Sequence, residues 1–222
     1  YAFFHATRKA FSNIKDTLRK EWTPYNETNP LEPATKSAAL FLGAMDTTFL
    51  ATYAIGLFIS GILGDRFDLR KVLSLGMCMS AVMVFMFGCV SKWLGVYNIW
   101  YYGIFMALNG FCQSAGWPSS VAVMGNWFGK SSRGLVFGVW SACASVGNII
   151  GSFEVAAVLK YGYEYSMLIP SVVLFAGGII VFFCLVPSPT DIVVLYMYAD
   201  NNYLKVFLYL LMKRAQKRKG NQ

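Results

Sequence analysis

Apolar and polar positions follow one another along this chain in blocks rather than alternating within each segment. The runs at 38–63, 72–90, 98–123, 134–159 and 165–186 are almost wholly apolar or small, and short charged turns separate them. A helix needs about 20 such residues to cross a bilayer, so each run predicts one membrane span. The run at 98–123 is broken only by Asn109, Gln113 and the step Gly116-Trp117-Pro118. Residues 1–14 predict a sixth, partial span, the second half of a helix whose start precedes Tyr1. From about residue 15 to 36 the chain turns polar. After Asp191 a mixed stretch with Asp200, Asn201 and Asn202 leads into the basic run at 213–219. That tail predicts either a basic amphipathic helix lying on anionic lipid or an end with no settled fold. The expected organisation is all-α, with one transmembrane bundle over 1–191 and an atypical tail over 192–222.

Composition agrees with a bilayer as solvent. Hydrophobic residues make up 56% and charged residues 14%, against roughly 25% charged in soluble domains. The net charge of +8 does not point to nucleic acid. Six of the 19 bases follow Asn202 and most others flank apolar runs, so membrane topology accounts for them. The turns at 64–71 (Arg66, Arg70, Lys71) and 126–133 (Lys130, Arg133) are basic, while those near Lys92 and Lys160 hold one base each. The positive-inside rule then puts the basic turns and the tail in the cytosol, and the polar segment 15–36 on the opposite side. That segment carries Asn26-Glu27-Thr28, a glycosylation acceptor usable only there, so Asn26 is the expected glycan site. Cys78, Cys89, Cys112, Cys143 and Cys184 all lie in apolar runs, with no C-x-x-C and one histidine. Neither a disulfide framework nor a metal site is expected.

Polar residues inside apolar runs are the candidates for chemistry. Arg8 and Lys9 follow Tyr1-Ala-Phe-Phe-His5-Ala-Thr without a turn signal, which puts Arg8 at membrane depth. A base there either serves a partner or substrate, with a guanidinium fork suited to phosphate oxygens, or snorkels to the membrane edge. Tyr1, His5 and Arg8 fall on one helical face. Gln113 and Trp117, one turn apart, offer a hydrogen bond and an apolar wall to a sugar, or simply pack a kink. Ser141, Ser145 and Asn148 repeat at helical spacing and face either a cavity or another helix. Tyr53 is either a packing or a cavity residue. Asp46 is expected near a helix end with its carboxylate in water, and Glu154 near a base or water.

Three ordered motifs and one turn carry a family resemblance. The turn Gly61-Ile-Leu-Gly64-Asp65-Arg66-Phe-Asp-Leu-Arg70-Lys71 resembles the loop between the second and third helices of major facilitator superfamily transporters. Asp68 stands where that family has glycine, and Leu69 where it has a base. Arg8-Lys9-Ala-Phe11-Ser12, the run from Asn109 through Gln113 to Trp117-Pro118, and the segment from Trp127-Phe128 to Trp140-Ser141 resemble the organophosphate:phosphate antiporter branch. Within it the chain is most similar to the animal sugar-phosphate exchangers, the group that includes glucose-6-phosphate translocase. The bacterial glycerol-phosphate branch has a histidine where Ala144 stands and a lysine where Leu57 stands, which argues against glycerol phosphate.

The resemblance implies a major facilitator fold represented by its N-terminal six-helix bundle, with the C-terminal bundle absent from this sequence. It implies sugar phosphate and inorganic phosphate as substrates exchanged by alternating access, and no cofactor. The implied membrane is the endoplasmic reticulum. Arg8 is implied as the phosphate ligand, with Lys9, His5, Tyr1, Tyr53, Gln113, Trp117, Ser141 and Ser145 around the substrate. Gly61, Asp65, Arg66 and Arg70 would form the conformational loop. Two other classes stay open: a membrane enzyme on phosphorylated lipid or sugar, for which no His/Asp/Glu constellation is present, and a non-transporting half that pairs with a full-length transporter.

Overall fold

The computed structural model describes residues 1–22, 38–96, 98–129 and 132–192. Asn26, Lys130 and nearly all of the tail therefore lie outside the described residues. Within them every regular element is a helix. In hydrocarbon this is the expected solution, because only a helix or a closed barrel satisfies each backbone N–H and C=O internally.

Helices α1 (Ala2–Trp22), α2 (Ala38–Arg66) and α3 (Leu69–Phe85) are followed by a π turn at Met86–Val90 that runs on into α4 (Ser91–Leu94). Then come α5 (Ile99–Gln113), α6 (Gly116–Trp127), α7 (Arg133–Val158) and α8 (Tyr163–Cys184). Because α3 continues through the π turn into α4, and α5 resumes as α6, these elements make six rods. Four rods, Leu40–Arg66, Leu69–Leu94, Arg133–Tyr161 and Tyr163–Cys184, are each long and apolar enough to cross a membrane. The fifth is split at Ser114–Ala115, where the sequence places its Gly-Trp-Pro step.

The split has a local cause. Pro118 has no N–H to give the carbonyl four residues back, which is that of Ser114. That carbonyl instead accepts the Ser60 hydroxyl of α2 at 3.2 Å. The break is thus satisfied from a neighbouring helix, and α2 is fastened to it.

Six rods pair as α1 with α7, α2 with α5, and α3 with α8, and α3 also meets α5. The membrane-length window on α3–α4 is 56% buried and those on α2 and α7 only 17%, so α3 is the interior rod while α2 and α7 present open apolar flanks. Gly147 and Gly151 of α7 face the backbone of Ala2 and Ala6, where any Cβ would collide. Close approach of this kind lets α1 and α7 pack without an aqueous hydrophobic drive.

Two expectations need correction. The first helix does not give way to a polar loop near residue 15 but continues to Trp22. Phe4, Thr7, Phe11, Ile14 and Leu18 keep one buried stripe throughout, and charges on the later turns find partners elsewhere: Lys15 with Asp46 and Glu21 with Lys92. Asp46 accordingly has its carboxylate in an ion pair with α1 and not simply in water. The second unit of the chain begins at Val186, and of it only residues up to 192 are described; a short helical turn starts there near Pro189.

The basic turn after α2 is closed by a residue that departs from the family pattern. Asp68 caps α3, accepting from the Arg70 backbone N–H at 3.0 Å, and its carboxylate lies 3.5 Å from the Arg70 guanidinium. A glycine there would not provide the side-chain oxygen. Asp65 and Arg66 are exposed, and Gly61 has open space where a side chain would be.

Candidate functional site

Arg8 sits two turns into α1, on the face turned toward α2 and α5. Its Nε donates to Gln113 Oε1 at 2.6 Å. Its guanidinium carbon lies 4.6 Å from the Tyr53 ring centre and 5.4 Å from that of Phe49. Nη2 is buried and has no hydrogen-bond partner. Among the described residues no carboxylate lies within ion-pairing distance of it.

Behind Arg8 a polar chain runs through the bundle. Gln113 Nε2 donates to Thr7 Oγ1 at 3.2 Å and to Asn109 Oδ1 at 3.3 Å. Ser80 on α3 donates to the same Asn109 oxygen at 2.7 Å. All four of these partners are buried. A cavity of about 280 Å³ lies beside this chain, with Thr7, Arg8, Asn109 and Asp46 as its polar wall and aromatic and aliphatic side chains for the rest.

Toward the start of α1 the site becomes aromatic. Tyr1 is 4.9 Å from His5, 5.0 Å from Trp140 and 6.1 Å from Trp117, and the two tryptophans are 4.7 Å apart. His5 Nε2 is buried without a partner. Tyr1, His5 and Arg8 therefore form one face that carries two unpartnered nitrogens beneath an indole pair. Such rings offer flat apolar area with a polar edge.

The other sequence candidates divide. Tyr53, Gln113 and Trp117 join this assembly. Lys9, the next residue and so about 100° round the helix, points into a shallow groove against α7 lined by Asn148, Ser152 and Phe153. Ser141, Ser145 and Asn148 are exposed on α7. One carboxylate oxygen of Glu154 is buried with no partner. Sequence reasoning did not single out Phe49, Thr7, Ser80 or Trp140 as site residues. Trp140 was visible only as a letter of a motif, and the others carried no signal until the helices were packed. Among the described residues no group of three His, Cys, Asp or Glu is placed to hold a metal ion.

Comparison with known proteins bears on the family. The profile of the Major Facilitator Superfamily matches residues 11–205. The chain is 56% identical over 204 residues to mouse sugar phosphate exchanger 3, covering 86% of this chain and 41% of the relative. The human protein of that name is 52% identical over 215 residues, covering 91% and 44%. A glucose-6-phosphate exchanger of Xenopus laevis is 37% identical over 211 residues, covering 86% and 40%. The chain thus spans about two fifths of the length of these relatives. All three are named as exchangers rather than enzymes. No solved structure matches the chain significantly.

Proposed function

The chain belongs to the Major Facilitator Superfamily and is an integral membrane protein, and on that premise we propose that it supplies the phosphate-holding half of a sugar-phosphate:inorganic-phosphate exchanger. One observation carries the reading: the Arg8 guanidinium lies inside the bundle with a buried, unpartnered Nη2 and, among the described residues, no carboxylate within ion-pairing distance. A buried donor left unmade costs on the order of 1–3 kcal/mol, more when charged. A group of that kind is retained where a ligand completes it. Phosphate oxygens match the guanidinium fork and bring the missing negative charge. The names of the relatives point to the same cargo.

Exchange rather than leak follows from the electrostatics. An empty cationic site is expensive to carry through a dry barrier, whereas a phosphate-filled one is neutralised. Either phosphate or sugar phosphate satisfies the same Arg8, so each outward turn requires an anion and each return requires another. The Tyr1–Trp117–Trp140 cluster lies one to two turns along α1 and provides the wall for a sugar ring. Alternating access further needs a second bundle to rock against this one. The open apolar flanks of α2 and α7 are the surfaces left for it and for lipid. The basic turns that follow α2 and α6 would face the cytosol, in the membrane of the endoplasmic reticulum.

The test is counter-flow in proteoliposomes holding the full-length protein that carries this chain. Liposomes loaded with phosphate should take up labelled glucose 6-phosphate, and empty liposomes should not. Uptake independent of internal phosphate would refute the exchanger reading, and phosphate release without transport would point to an enzyme.

A further inference from the structure

We propose that Gln113 is a positioning residue for Arg8 and not a contact for the sugar, so that the network of Gln113 with Thr7 on one branch and Asn109–Ser80 on the other sets phosphate affinity for both substrates alike. The inference rests on the reading of Arg8 as the phosphate ligand.

Gln113 has no donor left to offer a substrate, and burial closes off the second lone pair of its Oε1. It is fully buried, its Oε1 accepts from Arg8, and its Nε2 spends both hydrogens on Thr7 and Asn109. Its orientation is fixed from both ends by chemistry. Arg8 can only donate, so the Gln113 atom facing it must be the oxygen. The Thr7 hydroxyl already donates to the Phe4 carbonyl at 2.8 Å, so it can only accept, and the atom facing it must be the amide nitrogen. Asn109 is held in turn by the Ser80 donor on α3. The network therefore has one self-consistent assignment: donation runs inward from Arg8 through Gln113 to Thr7 and Asn109, and Ser80 of the interior rod donates to the same Asn109 oxygen.

The consequence is geometric. With Nε occupied by Gln113 and one face of the guanidinium over Tyr53, the remaining freedom of the side chain is small. The Nη end is presented in one orientation, and its immobilisation is prepaid before any anion arrives. Pre-organisation of this kind raises affinity without adding a contact. It acts on whatever phosphate binds, because it acts through Arg8.

The experiment compares two exchange modes in proteoliposomes of the full-length protein, phosphate against phosphate and glucose 6-phosphate against phosphate. Gln113→Leu should raise the KM for both substrates by the same factor, about tenfold, with the maximal rate within about twofold of the parent. Thr7→Val removes only the hydroxyl that orients Gln113 and should give a smaller parallel rise, about threefold. It decides the matter should Gln113→Leu not fold. A rise confined to glucose 6-phosphate would make Gln113 a sugar contact and overturn the proposal, as would unchanged KM values. The Arg8→Ala arm separates the two readings. Exchange that survives it overturns the phosphate-ligand reading and this one with it. Exchange lost there but shifted for one substrate only in Gln113→Leu or Thr7→Val overturns this proposal alone.

Discussion

Two bases on α1 face the interior of the same bundle, seven residues apart, and they are treated oppositely. Lys15 is paired with the carboxylate of Asp46, and that charge is closed within the chain. Arg8 is given a neutral amide and two aromatic rings, which orient it without cancelling its charge. The first arrangement ties α1 to α2. The second keeps a cation available at the cost of stability, and on the proposed function an anion from outside completes it. Both residues border one cavity wall, Lys15 through its partner Asp46, so the difference lies in chemistry and not in location.

Giving Arg8 what Lys15 already has should produce the largest effect. Gln113→Glu places a carboxylate where the amide oxygen now accepts from Arg8, and an internal ion pair at that depth competes directly with phosphate. We expect phosphate–phosphate exchange per folded protein to fall about 100-fold, equivalent to ~2.7 kcal/mol. Unimpaired exchange would break the contrast.

Taking Asp46 away from Lys15 tests the other side. Asp46→Asn should destabilise the bundle by about 1 kcal/mol, the pair being partly exposed. The double change Asp46→Asn with Lys15→Met should recover most of it, since the uncompensated charge is gone. Thermal unfolding in detergent measures both.

Smaller effects sharpen the picture. Tyr53→Leu removes the ring over Arg8 and should raise phosphate KM by about threefold to fivefold, whereas Tyr53→Phe keeps the face and should stay near the parent. At the far end of α2, Asp68→Ala removes the cap of α3 and should cost about 1 kcal/mol in stability, with no change in phosphate KM. A glycan shift abolished by Asn26→Gln would place the α1–α2 connection outside the cytosol.

Most of the fold was legible because a bilayer forces each long apolar block into a helix. The extent of α1 was not. Its second half looks like a loop by hydropathy, which counts charges and ignores that Lys15 and Glu21 meet partners 31 and 71 residues away. The site shows the same limit. A lone arginine in an apolar run stands out, and periodicity correctly groups it with Tyr1 and His5. Adjacency misleads for Lys9, which shares a motif with Arg8 but faces another helix. Gln113 shows as polar from its position alone, yet what it does depends on an arginine 105 residues earlier. Repeats such as Ser141 and Ser145 define a face of α7 without saying what meets it.

We propose that the charge on Arg8, which meets no carboxylate among the described residues, is what holds phosphate. Phosphate–phosphate exchange by the full-length protein, with Arg8→Lys set beside Arg8→Ala, measures this most directly. Lysine keeps the charge but loses the fork and the hydrogen bond that fixes it, so both variants should lose nearly all exchange. Exchange retained in Arg8→Ala would contradict the account.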